Sequence, residues 1–277
     1  MSNWFNANAL TYLSPIAERL HQELVTREVI HVDEVPCQVL HEEGKTSTSK
    51  SYIWVYLSGS DGKPPITLYD YRPGRSGDHP IEFLDGFTGM LHCDGYSAYG
   101  RIQDVVLACC MAHCRRKFYE AIPVERRKKL KLLDINSAQN INSPEIDEIN
   151  SSKILPAEKG ILFCNKLFFI EQQYNNLTAA ERKVKSYVMA RKNFLFHGTV
   201  DGANASAIVF SLVETARANN LNVFQYLYTL LLYMPDYKDE PAGIEMLLPW
   251  SDFIHENCSG ITDTEKIKPE TRGNLPL

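Results

Sequence analysis

Val29-Ile30-His31-Val32-Asp33-Glu34-Val35 is a short β-branched run that ends on acidic residues and is followed by Pro36. Its expected partner is Met90-Leu91-His92-Cys93-Asp94-Gly95-Tyr96, a second short apolar run that also delivers an aspartate at its end. Two strands side by side, each closing on a carboxylate, would place two hard oxygen ligands at one edge of a sheet. That pair suits Mg²⁺ or Mn²⁺ and the phosphoryl chemistry those ions support.

Working outward, residues 9 to 28 predict an amphipathic helix. Leu10, Leu13, Ile16, Leu20 and Leu24 recur at three- and four-residue steps, with Glu18, Arg19, Gln22 and Glu23 on the other face. The first strand follows over residues 29 to 33. A polar loop over 42 to 51 leads to Ser51-Tyr52-Ile53-Trp54-Val55-Tyr56-Leu57, a strand by composition, and Ile66-Thr67-Leu68-Tyr69-Asp70-Tyr71 returns. Ile81 to Phe87 reads as a short helix and Met90 to Cys93 as the fourth strand. Tyr96 to Tyr99 starts a helical turn, and Val105-Val106-Leu107-Ala108-Cys109-Cys110 is a fifth strand expected to be buried on both faces. A basic helix begins near His113. Three antiparallel strands followed by alternating helices and strands give an α/β fold, a ribonuclease-H-like mixed sheet with flanking helices.

Residues 132 to 156 lack helical periodicity and read as a linker. Helical pattern returns from Ala157 to Lys185, where Thr178-Ala179-Ala180-Glu181 resembles a capping box. Asn204 to Asn219 and Val223 to Met234, the latter closed by Pro235, make a C-terminal helical hairpin. The expected organisation is a core over 1–131 with both Asp motifs, a linker over 132–156, a helical part over 157–235 and a tail over 236–277.

Composition narrows the function classes. The 277 residues are 44% hydrophobic and 23% charged, ordinary for a globular protein. No apolar run is long enough to span a membrane, and the start lacks the pattern of a signal peptide, so the expectation is a cytoplasmic protein. Seven scattered cysteines suit reduced residues used as small hydrophobes better than a disulfide framework. Cys109, Cys110, His113 and Cys114 lack a second distant pair and make a weak zinc site; core cysteines are the expected reading. The net charge is −5, yet basic residues cluster in Arg115 to Lys131 and in Arg182 to Lys192, as a polyanion partner would require.

Several blocks then converge on one family. His31-Val32-Asp33-Glu34-Val35-Pro36, Lys50-Ser51-Tyr52-Ile53-Trp54-Val55, Tyr71-Arg72-Pro73-Gly74-Arg75 and Leu91-His92-Cys93-Asp94-Gly95-Tyr96-Ser97-Ala98-Tyr99 resemble motifs of the insertion-sequence-66 family of bacterial transposases. Cys110-Met111-Ala112-His113-Cys114-Arg115-Arg116-Lys117-Phe118 is similar to a further block, with Met111 where the family usually has Trp. Arg191-Lys192-Asn193-Phe194-Leu195-Phe196 and Ser211-Leu212-Val213-Glu214-Thr215-Ala216 resemble its C-terminal blocks.

The resemblance implies a DDE transposase with a ribonuclease-H-like fold. Two Asp and one Glu would hold two Mg²⁺ ions for in-line attack on a phosphodiester of double-stranded DNA at transposon ends, in an oligomer. Asp33 and Asp94 match the first two ligands. Glu181, ten residues before Arg191, stands at the third, although its surroundings look like an earlier helical block joined to Ser186 onward by an internal deletion. Glu214 is the fallback third acid. Glu34 and Asp104 are expected at the surface. Arg115, Arg116 and Lys117, with Arg191 and Lys192, are the expected DNA contacts, and His113 is a possible phosphate contact. The family's upstream region has no counterpart before residue 9. The alternative expectation is therefore an inactive remnant that at most binds DNA or a full-length transposase.

Overall fold

In the computed structural model, described here for residues 2–130, 154–173 and 197–259, the chain opens with helix α1 (Ser2–Asn8), a π-helical segment (Ala9–Leu13) and α2 (Ser14–Leu24). Pro15 cannot donate to the turn before it. The helix widens just upstream, where the Ser14 N–H bonds to the Ala9 carbonyl and the Ser14 hydroxyl donates to the Leu10 carbonyl at 2.7 Å. Leu13, Ile16, Leu20 and Leu24 are buried, the apolar stripe expected of this segment.

Strands β1 (Val29–His41), β2 (Lys50–Ser58) and β3 (Thr67–Arg72) form an antiparallel meander. α3 (Asp78–Phe83) lies a few residues earlier than its expected span. β4 (Met90–Cys93), a 3₁₀ turn (Ser97–Arg101), β5 (Val106–Cys109), α4 (Met111–Glu120) and α5 (Val124–Leu130) complete the first part. Then follow α6 (Pro156–Gln173), β6 (His197–Thr199), α7 (Val200–Ala218), α8 (Val223–Tyr237), α9 (Pro241–Met246) and α10 (Asp252–Cys258). The result is a mixed six-stranded sheet with flanking helices. Its order is β3-β2-β1-β4-β5, β4 runs parallel to β1, β5 runs parallel to β4, and β6 joins the far end of β1.

The first strand does not stop at Asp33. It continues through Pro36 to His41, paired with β2 from Ile30 to Gln38. Pro36 is tolerated because it lies between the stretch that pairs with β4 (Val29 to His31) and the stretch that pairs with β6 (Val39 to His41), where the second side of β1 carries no ladder among the described residues. Parity splits the strand between two cores. Ile30 and Val32 join Trp54, Tyr56 and the helices on one face, and Cys37 and Val39 join Ile53, Val55 and α7 on the other.

The expectation of a doubly buried β5 is overturned. Val106 and Leu107 are 63% and 42% exposed, and β5 is the edge strand. Cys109 and Cys114 are exposed with it, against the expectation that they sit in the core. The opposite edge is closed by α7. Ser211 accepts from the Tyr69 N–H at 2.8 Å, and Thr215 accepts from the Thr67 N–H at 3.0 Å and donates to the Thr67 carbonyl at 2.9 Å. Four helical residues advance about 6 Å and two strand residues about 6.6 Å, so hydroxyls spaced by four meet amides spaced by two.

α8 runs past Pro235 to Tyr237. The proline forfeits one bond in the last turns, and the Lys238 N–H still reaches the Met234 carbonyl at 2.9 Å. The α7–α8 hairpin forms as expected, turning over Asn219 to Asn222. Residues 241–258, which composition assigns to a tail, form two helices whose Leu247, Leu248, Ile254 and Cys258 are wholly buried in the main core.

Candidate active site

β1 and β4 pair in register at His31 and His92, whose rings touch at 4.7 Å between centroids. Asp33 and Asp94 each lie two residues further on, at the same level of two strands that run about 4.8 Å apart. Beyond this level β1 keeps β2 while β4 turns away. Asp94 therefore stands just past the carboxyl end of β4, beside the middle of β1. The Cys110 N–H holds the Cys93 carbonyl at 2.7 Å, which brings the start of α4 to the same end.

One oxygen of each aspartate is fixed by backbone: Asp33 Oδ1 accepts from the Glu34 N–H at 2.9 Å, and Asp94 Oδ1 from the Tyr96 N–H at 2.8 Å in an Asx turn. Burial pushes the Asp33 carboxyl above its ordinary value and the neighbouring Asp94 adds to this, opposed by the Glu34 N–H, His113 and Arg116. His31, two residues earlier, is driven down to about 4 by burial and by His92.

Glu34 is a correction. It was expected at the surface, but its side chain is 3% exposed. It accepts from Arg75 Nε at 2.6 Å and from the Tyr99 hydroxyl at 2.7 Å, and Arg75 Nη2 also contacts it. Burial raises its pKa, and the bonds from Tyr99 and Arg75 oppose that rise. The Arg75 guanidinium lies 4.1 Å over the Tyr96 ring, and the Tyr96 hydroxyl donates to the Arg75 carbonyl at 2.6 Å. Arg75 Nη2 is also 4.0 Å from Asp94 Oδ2. Sequence reasoning missed this network. Its only local signal was an arginine one residue beyond a Pro-Gly turn, and its partner lies 41 positions earlier.

The other expected residues separate. His113 stands beside Asp33 from the first turn of α4, and its Nδ1 is buried without a hydrogen-bond partner. Arg115 donates to Asn165 of α6 at 2.7 Å, so it joins two helices. Gly160 permits that approach, since a Cβ there would lie 2.5 Å from the Phe118 ring. Arg116 is exposed and acts on Asp33; Lys117 is exposed and pairs with Glu120 at 3.5 Å. Glu181, Arg191 and Lys192 lie outside the described residues, as does the capping box.

Glu214 does not join the aspartates. It is buried on α7 at the β3 edge, bound to Arg217 at 2.6 Å and close to Tyr69. Among the described residues, no three His, Cys, Asp or Glu side chains gather as a metal site, so Cys110, His113 and Cys114 form none either.

Comparison with known proteins adds the family. The family model described as "Transposase IS66 family" matches residues 1–151, and that described as "IS66 C-terminal element" matches residues 211–250. Three proteins of Sinorhizobium fredii named as uncharacterized, y4qI, y4hP and y4jD, are 25%, 23% and 22% identical to this chain. The matches cover 86%, 87% and 87% of this chain but 53%, 54% and 57% of those proteins. The chain spans about half the length of the curated relatives it matches.

Proposed function

The chain belongs to the IS66 transposase family, and on that premise we propose that it cleaves and joins DNA strands at transposon ends by metal-dependent phosphoryl transfer. The observation that carries this reading is that Asp33 and Asp94 each follow by two residues the paired His31 and His92 of adjacent parallel strands, close enough for the charge of Asp94 to act on Asp33. The strand order, three antiparallel strands followed by two parallel ones on the far side of β1, supports a ribonuclease-H-like core.

The donor set fits a hard divalent cation. Each carboxylate has one oxygen oriented by a backbone N–H and another left over, and Mg²⁺ is commonly held by one or two carboxylates together with phosphate and water. Asp33 and Asp94 would hold Mg²⁺ or Mn²⁺, with Glu181 as the third ligand. A cation there supplies Lewis acidity to the attacking and leaving oxygens of a phosphodiester. Arg116, exposed and acting on Asp33, would bind a backbone phosphate, and the unpartnered His113 Nδ1 would bond a phosphate oxygen. Lys117, Arg191 and Lys192 extend the DNA surface in this reading. The partner is double-stranded DNA, held by an oligomer that pairs two ends, in the cytoplasm. No helix among the described residues is long and apolar enough to cross a membrane.

A second reading is a remnant that binds DNA without cutting it; among the described residues no three His, Cys, Asp or Glu side chains gather around the pair. Incubating labelled transposon-end DNA with Mn²⁺ separates the two. Cleavage by the wild type that is lost in Asp94→Asn supports the enzyme; no cleavage, or equal cleavage by both, removes it.

A further inference from the structure

Arg75 stands between two carboxylates and treats them unequally. Glu34 receives its Nε at 2.6 Å and an Nη contact as well, whereas Asp94, 4.0 Å from Nη2, receives no hydrogen bond from Arg75. Three further contacts enforce the choice. The Tyr99 hydroxyl holds the second Glu34 oxygen at 2.7 Å. The guanidinium plane rests on Tyr96 at 4.1 Å, and the Tyr96 hydroxyl ties down the Arg75 main chain at 2.6 Å. The Glu34 side chain is almost wholly buried against these groups, while that of Arg75 is 41% exposed.

We infer that Glu34 is a positioning residue that holds the Arg75 cation off Asp94, keeping the Asp94 carboxylate open for a divalent metal ion. An arginine fork fits any carboxylate within reach. Without a competing anion, Arg75 would close the remaining distance to Asp94, and a metal would then have to displace a charge-assisted bond. In this inference Glu34 acts through Arg75 and is not itself a ligand. The inference rests on the reading of Asp94 as a metal ligand.

The test is Mn²⁺ binding to the full chain, followed by the electron paramagnetic resonance signal of free Mn²⁺, with no DNA present. Asp94→Asn tests the underlying reading: if it binds Mn²⁺ as well as the wild type, or if the wild type binds none, both that reading and this inference fall. With Asp94 established, Glu34→Gln should weaken binding about 10-fold, the usual scale for a residue that orients a ligand. Glu34→Gln combined with Arg75→Met should return to within about threefold of the wild type, because the cation is gone. Unchanged binding in Glu34→Gln, or a double variant as weak as the single one, overturns the inference and leaves Asp94 a ligand. If Glu34→Gln does not fold, Arg75→Met alone decides: binding equal to or tighter than wild type supports the inference, and weaker binding overturns it.

Discussion

The Thr215 hydroxyl bonds the Thr67 backbone twice, accepting from its N–H at 3.0 Å and donating to its carbonyl at 2.9 Å, so helix α7 serves β3 as a neighbouring strand would. Exposed sheet edges invite pairing with other chains, and this one is sealed by side chains. Thr215→Val keeps the shape and removes both of these bonds, at a cost of about 1–3 kcal/mol. Urea unfolding should show a lower midpoint with an unchanged slope, and Thr215→Ser, which retains the hydroxyl, should stay close to the wild type.

Gly89 opens the strand that carries Asp94, and a Cβ there would lie 2.3 Å from the Glu28 carbonyl oxygen. That carbonyl accepts the Met90 N–H at 2.8 Å, the first bond between β4 and the chain entering β1. Gly89→Ala should push the two apart and destabilise the fold by about 1–3 kcal/mol. A thermal melt indistinguishable from that of the wild type would contradict the close approach.

The buried Arg27 side chain gives both Asp61 oxygens a contact at 2.8 Å. Burial works to raise the Asp61 carboxyl, but the bonds from Arg27 and the Lys63 N–H outweigh it and hold its pKa below the ordinary value. A depressed folded pKa contributes stability that is present above the unfolded value, near 3.9, and is lost as pH falls through the folded value. Asp61→Asn should therefore cost about 3 kcal/mol at pH 7, where it strands the arginine, and should lose less than the wild type between about pH 4 and pH 2. Parallel stability curves over that range would refute the linkage.

The basic block of α4 should divide by position. Arg116→Ala should lower DNA affinity and reduce the slope of log affinity against log salt by about one, because it removes one phosphate contact. Arg115→Ala should leave that slope alone and lower the melting temperature, because Arg115 is bonded to Asn165. Fluorescence anisotropy over a salt series in EDTA reads the first effect and a thermal melt reads the second. A slope change in Arg115→Ala alone would reverse the assignment.

What was legible in the sequence was the part written in local periodicity. The β-branched runs gave β1, β2 and β4, the spacing of leucines gave α2, and the two apolar runs that lead to Asp33 and Asp94 pair as neighbouring strands. What escaped depends on neighbours the local sequence does not name. Val106 and Leu107 have the composition of a buried strand but lie at an edge. Pro36 looks like a terminator, yet it stands where β1 needs no donor on its second side. Glu34 reads as a surface acid because its partner, Arg75, arrives on a loop after two intervening strands. Ser211 and Thr215 look unremarkable until a strand edge lies opposite them.

The two aspartates sit at different depths of the sheet. Asp33 belongs to a central strand that is laddered along most of its length and leads into a second core. Asp94 follows a four-residue strand whose outer neighbour is the exposed β5. Local opening starts at short, weakly flanked segments, so hydrogen exchange is expected to open the amides just beyond Asp94 at a lower free-energy cost than those around Asp33.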